Sequence, residues 1–574
     1  MIGGMWREFL LLSLFVFVGG LQINSNQFVP ELSYYNENFV LDENVQEFPV
    51  IRLSLGYIRG RWLTSSRGRR YAAYKGVPYA QPPIGHLRFE PPQNKKPWNG
   101  VRNALNHGAQ CPQLLFVLNT YVGDEDCLYM NLYIPQPDRG LEPRNSGDKL
   151  LPVIVFIHGG AWTLGAGDMD DYLYGPDRFM DEDVILITIN YRLGALGFLY
   201  LENTVSGNMG LKDQAMALKL IKANARSFGG DPNRITLMGE SAGGASAEYH
   251  TMNPESRQLI SGVIAQSGTA LSAWAWTRPD VLATRTRRLA RILRCPLYKV
   301  SPGNIIDCLK KASPRDIIKY QFLTDWSPLQ IPIGVSFSPT AEPRGSENAF
   351  LVECPREALS RLKYTRQAIP YLTGYNTMEG QLFTKIAVGL LDSVLQATTR
   401  AKLGLPREGK SVMELRLKPY VRQPTPAIVD SILGDYQFKA PILDASRFHS
   451  RAGSNVFLYH FSFTGRNNFV KLFYDSHAPT HMDELTYLFE GRGFFGGLPR
   501  LEEASPEAAV SERLLQMWTN FAKTGNPTPV NNTNSDIYWP PDPSKILNIG
   551  KELTISNSPL ETGWSSFLDK QCFL

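Results

Sequence analysis

Gly239-Glu240-Ser241-Ala242-Gly243 sets a serine between glycines, directly after the apolar run RITLMGE (234 to 240) and before GGASAEYHTM, which can open a helix. A chain that turns sharply from strand into helix holds such a serine on strained backbone, with Oγ projecting above the sheet as a nucleophile needs. The five-residue pattern alone recurs among small, serine-rich turns; strand, motif and small-residue helix start in succession give it weight. A serine attacking a carbonyl needs N–H donors for the developing oxyanion, and one lost donor typically costs about 10²-fold or more in rate. His158-Gly159-Gly160-Ala161-Trp162 follows the apolar run PVIVFIH (152 to 158). This glycine loop assigns the donors to the N–H groups of Gly160 and Ala161, joined by that of Ala242 beside the nucleophile.

The base is expected in a histidine that follows an acid later in the chain. Five histidines follow Ser241: His250, His449, His460, His477 and His481. His250 falls in the helix opened by the serine, and His460 within the strand VFLYHFSF (456 to 463). His477 and His481 share the loop between that strand and DELTYLF (483 to 489), and position alone does not separate them. Glu379 stands in a loop closing IPYLTGYN (369 to 376), where a glutamate is ordinarily just solvated.

Positioning these groups falls to short apolar runs that alternate with helical stretches: PVIVFIH, VILITINY (184 to 191), RITLMGE and LISGVIAQS (259 to 267), completed by IPYLTGYN and VFLYHFSF. Continuous apolar strands of this kind are buried on both faces, and alternation with helices predicts the α/β class, a mostly parallel central sheet with helices on both sides. No linker or repeat divides the chain, so residues 21–574 read as one domain with long insertions. In TRTRRLARILR (284 to 294), Arg285, Arg288 and Arg291 recur at helical spacing and are expected to form a solvated face. Lys plus Arg number 59 against 54 Asp plus Glu, a net +5 far from the dense basic face that nucleic acid demands. With 43% apolar and 20% charged residues, the chain is no disordered tail.

Residues 1–20 read as a secretory signal: Arg7, the ten-residue run FLLLSLFVFV, then Gly19 and Gly20. The run is half the roughly 20 residues a spanning helix requires, and no other stretch suffices, so the mature protein is expected to be secreted without a transmembrane segment. Six cysteines suit an oxidising compartment. Proximity favours Cys111 with Cys127 and Cys295 with Cys308; Cys354 and Cys572 are left to pair, to stay free, or, through Cys572, to link two chains of a homodimer rather than a monomer. Asn531 begins the sole N-glycosylation sequon, Asn531-Asn532-Thr533.

The segments KGVPYAQPPIGHLRF (75 to 89), EDCLYMNLYIP (125 to 135), NYRLGALGFL (190 to 199), FGGDPNRITLMGESAGG (228 to 244), GYNTMEG (374 to 380) and THMDELTYLF (480 to 489) together make the chain resemble the type-B carboxylesterase/lipase family, most of all its secreted insect-type members. The resemblance spans nearly the whole mature chain. It implies an α/β-hydrolase fold and a secreted serine carboxylic-ester hydrolase acting on small-molecule esters, with no organic cofactor or metal. It places the triad on Ser241, Glu379 and His481, which breaks the tie with His477. It also implies ion pairs of Arg88 with Glu125 and Arg192 with Asp213, and matches the two short disulfides. Ala161 stands where many members have a third glycine. The loop between Cys111 and Cys127 lacks the tryptophan with which cholinesterases hold a quaternary ammonium, disfavouring choline esters. Glu240 replaces the glutamine usual before the serine of juvenile hormone esterases. The rival reading is a catalytically inactive adhesion or scaffold relative.

Overall fold

The computed structural model describes residues 48–115, 120–136, 149–167, 173–324, 335–365, 367–384, 426–468, 476–491, 501–529, 537–559 and 572. The chain divides into Met1–Gln46 and Glu47–Leu574, and all of these residues fall in the second unit. The expected signal at 1–20 and the sequon at Asn531 lie outside them.

Eleven strands form the main sheet: β1 (Arg61–Thr64), β2 (Arg70–Pro78), β3 (Tyr129–Pro135), β4 (Leu151–Ile157), β5 (Ile185–Ile189), β6 (Gly230–Glu240), β7 (Gly262–Gln266), β8 (Tyr371–Asn376), β9 (Val456–Phe461), β10 (Lys545–Ile549) and β11 (Leu553–Asn557). Their spatial order is β11-β10-β9-β8-β7-β6-β4-β5-β3-β2-β1. Pairings from β5 through β10 are parallel, and those beyond either end of this block are antiparallel. The mostly parallel α/β sheet expected from the apolar runs is therefore present, and all six runs lie in it.

Strands β4, β5, β7 and β8 are buried at every residue, which is why they read as unbroken apolar runs. Alternate side chains serve two separate cores. Val153, Val155 and Ile157 of β4 pack with α1 (Met209–Asn224) and α2 (Ala242–Met252) on one face. Ile154 and Phe156 pack on the other, in the same cluster as Trp518 and Phe521 of the long helix Pro506–Thr524. Because the central strands run parallel, β6, β7, β8 and β9 all end on one edge, and the loops leaving that edge carry the residues of interest.

The basic stretch is only partly a solvated face. It lies on α3 (Pro279–Ile292), where Arg288 and Arg291 are exposed. Arg285 is instead buried, its guanidinium 2.9 Å from the Ser336 carbonyl oxygen, an inward acceptor that helical spacing does not reveal. Cysteines pair as Cys111–Cys127, Cys295–Cys308 and Cys354–Cys572. The third bridge takes one of the open alternatives and leaves no described cysteine free. No helix among the described residues is long and apolar enough to cross a membrane.

Arg192 holds Asp213 through Nε (2.8 Å) and Nη2 (2.7 Å) in full burial, and Arg88 grips a partly buried Glu125. Removing one partner strands the other charge in the interior. Arg192→Ala should therefore cost about 3–5 kcal/mol, read as a shift of the denaturation midpoint; a loss under about 1 kcal/mol would contradict this account of the pair.

Candidate active site

Ser241 occupies the junction between β6 and α2 with φ 58° and ψ −123°, a backbone state unfavourable for any residue with a side chain. Close backbone approach holds it there. Its N–H donates to the Gln266 carbonyl at the end of β7 (2.8 Å). A methyl at Gly268 would overlap the Ser241 carbonyl, and one at Gly243 would overlap the Ile157 carbonyl at the end of β4. The glycine after the serine is thus demanded by contact with a neighbouring strand.

The loop after β4 passes beside this turn: a methyl on Gly159 would lie 2.7 Å from the Glu240 carbonyl oxygen and 3.1 Å from Ser241 Cβ. Gly160, Ala161 and Trp162 have φ of 97°, 56° and 52°, three successive residues in the left-handed region. Thr163 and Leu164 N–H groups bind the Gly160 carbonyl, Gly194 N–H binds that of Trp162, and the Trp162 indole donates to Ser246 Oγ at 2.9 Å. The N–H groups of Gly160, Ala161 and Ala242 donate to no backbone carbonyl among the described residues. Donors left over in a strained loop beside a helix N-terminus suit an anion.

Glu379 follows β8 and His481 follows β9, and Nδ1 of the imidazole lies 2.6 Å from Glu379 Oε2. The other carboxylate oxygen of Glu379 accepts from Ser267 Oγ (2.6 Å) and Asn376 N–H (2.7 Å). His481 Nε2 lies 3.1 Å from Glu240 Oε1, unaligned for a hydrogen bond, so Nε2 has no hydrogen-bond partner among the described residues. The structure thus brings His481 to Glu379 and against the residue that precedes Ser241. The other candidates lie elsewhere. His477 is exposed, His250 is buried against Gln214, His449 pairs with Glu248, and His460 meets Thr377 and Asn548.

A model of the Carboxylesterase family matches residues 47–564. The chain belongs to the carboxylesterase family. It is 33% identical over 531 residues to a juvenile hormone esterase of Tribolium castaneum, covering 85% of each chain. It is 32% identical to a carboxylic ester hydrolase of Bombus ignitus, covering 86% of this chain and 88% of that one, and 30% identical to esterase E4 of Myzus persicae, covering 88% and 92%. The protein is a carboxylesterase with the α/β-hydrolase fold, and the adhesion reading gives way to ester hydrolysis.

Several residues packed around this candidate site are poorly marked in the sequence. Phe383 and Phe438 stack on each other and flank the His481 ring at 4.9 and 4.7 Å between centroids; Phe438 leads on to Trp274 and Trp162. Glu484 accepts from Gln266 and Asn376 and acts electrostatically on the imidazole. Ser267 gave one usable signal, a polar residue at the end of a buried strand on the edge where the site forms.

Three buried carboxylates surround His481. Burial pushes the Glu240 carboxyl up to about 8, with Glu484 and Glu379 adding to the rise and His481 opposing it. Burial alone would lower the imidazole, but Glu240 and Glu379 outweigh it and carry His481 to about 9. Glu240 and His481 therefore titrate as a pair. A base must be neutral to accept a proton, so with His481 as that base kcat/KM should climb as pH rises toward about 9 and level off above it. Glu240→Gln removes an anion that stabilises the imidazolium, lowers the pKa of His481, and should move the rising limb to lower pH. A limb that stays in place or moves upward in a pH–rate series would refute this electrostatic reading.

Proposed function

We propose that this carboxylesterase works through a Ser241–His481–Glu379 triad and an acyl-enzyme. His481 Nε2 takes the Ser241 proton as Oγ attacks the ester carbonyl, and the Gly160, Ala161 and Ala242 N–H groups bind the oxyanion. The tetrahedral adduct collapses, the alcohol leaves with the proton from His481, and the acyl group stays on Oγ. Water, deprotonated by the same imidazole, attacks the acyl carbonyl and releases the acid. Glu379 keeps Nδ1 protonated and oriented, leaving Nε2 as the basic nitrogen.

The observation that carries this reading is the 2.6 Å Glu379–His481 bond beside the turn that strains Ser241. The Phe383 and Phe438 rings suit a small ester with an apolar portion. Three disulfides and the apolar leader favour export after cleavage near residue 20.

Ser241→Ala should abolish p-nitrophenyl ester turnover and labelling by a fluorophosphonate, whereas His477→Ala, altering an exposed side chain, should leave most activity. Full turnover by the serine variant sinks the triad. Edman sequencing of protein collected from the medium of expressing cells should begin close to residue 21; an uncut N-terminus, or retention in the cell, would contradict export.

A further inference from the structure

Behind the oxyanion loop sits a buried imidazole that this mechanism leaves unused, His158. Its Nδ1 lies 2.8 Å from the carbonyl oxygen of the next residue, Gly159. A carbonyl only accepts, so Nδ1 carries the proton, while Nε2 is buried with no hydrogen-bond partner among the described residues. Burial lowers the pKa of this imidazole to about 4, which keeps it neutral in ordinary buffers. The ring stacks on Tyr191 at 4.4 Å and 16°, and the Tyr191 hydroxyl donates to the His158 carbonyl at 2.8 Å. Bare backbone closes another side. A methyl on Gly165 would stand 2.5 Å from Nδ1 and 2.8 Å from the Gly159 oxygen. Gln113 holds Gly165 in turn, accepting from its N–H (2.8 Å) and donating to its carbonyl (3.0 Å).

In a trans peptide the C=O and the following N–H point in opposite directions. The bond that draws the Gly159 carbonyl toward His158 thereby sets the direction of the Gly160 N–H, the other half of the same planar unit. Glycines on both sides would let that unit turn over at little steric cost. A turned unit would present a carbonyl oxygen, and repulsion, where an anion must form. We propose that His158 is a positioning residue: its Nδ1–H locks the Gly159–Gly160 peptide so that the Gly160 N–H faces the oxyanion. This rests on reading Gly160 as an oxyanion donor.

The test compares the full-length enzyme with His158→Leu, His158→Asn and His158→Gln. Each is assayed on p-nitrophenyl acetate and against a trifluoromethyl ketone, whose serine adduct carries an oxyanion, with the matching methyl ketone as control. Thermal melting reports the fold. His158→Leu should lower kcat about 100-fold with KM within about threefold, and weaken the trifluoromethyl ketone in proportion while sparing the methyl ketone. The Asn amide reaches the place of Nδ1, so His158→Asn should recover at least about tenfold of both losses; the Gln amide, nearer Nε2, should not. Wild-type affinity for the fluorinated ketone in His158→Leu overturns the proposal, as does an Asn variant that melts normally yet performs no better than Gln. If His158→Leu fails to fold, the Asn-to-Gln ratio decides alone. A wild-type enzyme that binds the fluorinated ketone no tighter than the methyl ketone overturns the oxyanion reading and this proposal with it.

Discussion

The hydrogen bond between Glu379 and His481 is the interaction on which the site is built. It joins two buried side chains 102 residues apart, where an unpaired carboxylate would carry a heavy desolvation cost. Ser267 and Asn376 satisfy the second oxygen of Glu379, so the acid is fixed before it meets the imidazole. Such a charge-assisted bond between buried groups is short, directional and intolerant of displacement. The parallel order of β6 to β9 makes it possible by bringing four strand ends to one edge.

A second constraint acts through the main chain. The Ser241 turn, the loop after β4 and the turn after β7 approach until only glycine fits at positions 159, 243 and 268. Strain at Ser241 and across Gly160, Ala161 and Trp162 is sustained against the fully buried strands behind them. Helices on both faces of the sheet are thus part of how the loops hold their form. Glu248 extends this support outward from α2. It accepts from the Ala270 N–H and the Thr269 and Tyr371 hydroxyls and pairs with His449, tying the turn that presses on Ser241 to β8.

Much of this was legible in the sequence because it has local causes. Strands buried on both faces write themselves as apolar runs, and a strand-to-helix turn writes itself as small residues around a serine. The assignment of His481 over His477 needed the family resemblance, since two histidines in one loop differ only in where the loop points each of them. Glu484, Phe383 and Phe438 were hidden because their roles come from tertiary contacts that no spacing encodes, and Ser267 showed only as a polar residue ending an apolar run. Arg285 shows the same limit, as helical periodicity marked its face while a carbonyl from a distant loop drew it inward. The Cys354–Cys572 bridge spans 218 residues, beyond any argument from proximity.

Rapid mixing with p-nitrophenyl acetate, acid quench within the first turnover and peptide mass spectrometry would test the central claim most directly. An acetyl group on the peptide containing Ser241, formed in step with a burst of one p-nitrophenol per enzyme, is the predicted result. A burst with the acetyl group on another residue, or steady turnover with no acylated peptide, would contradict it.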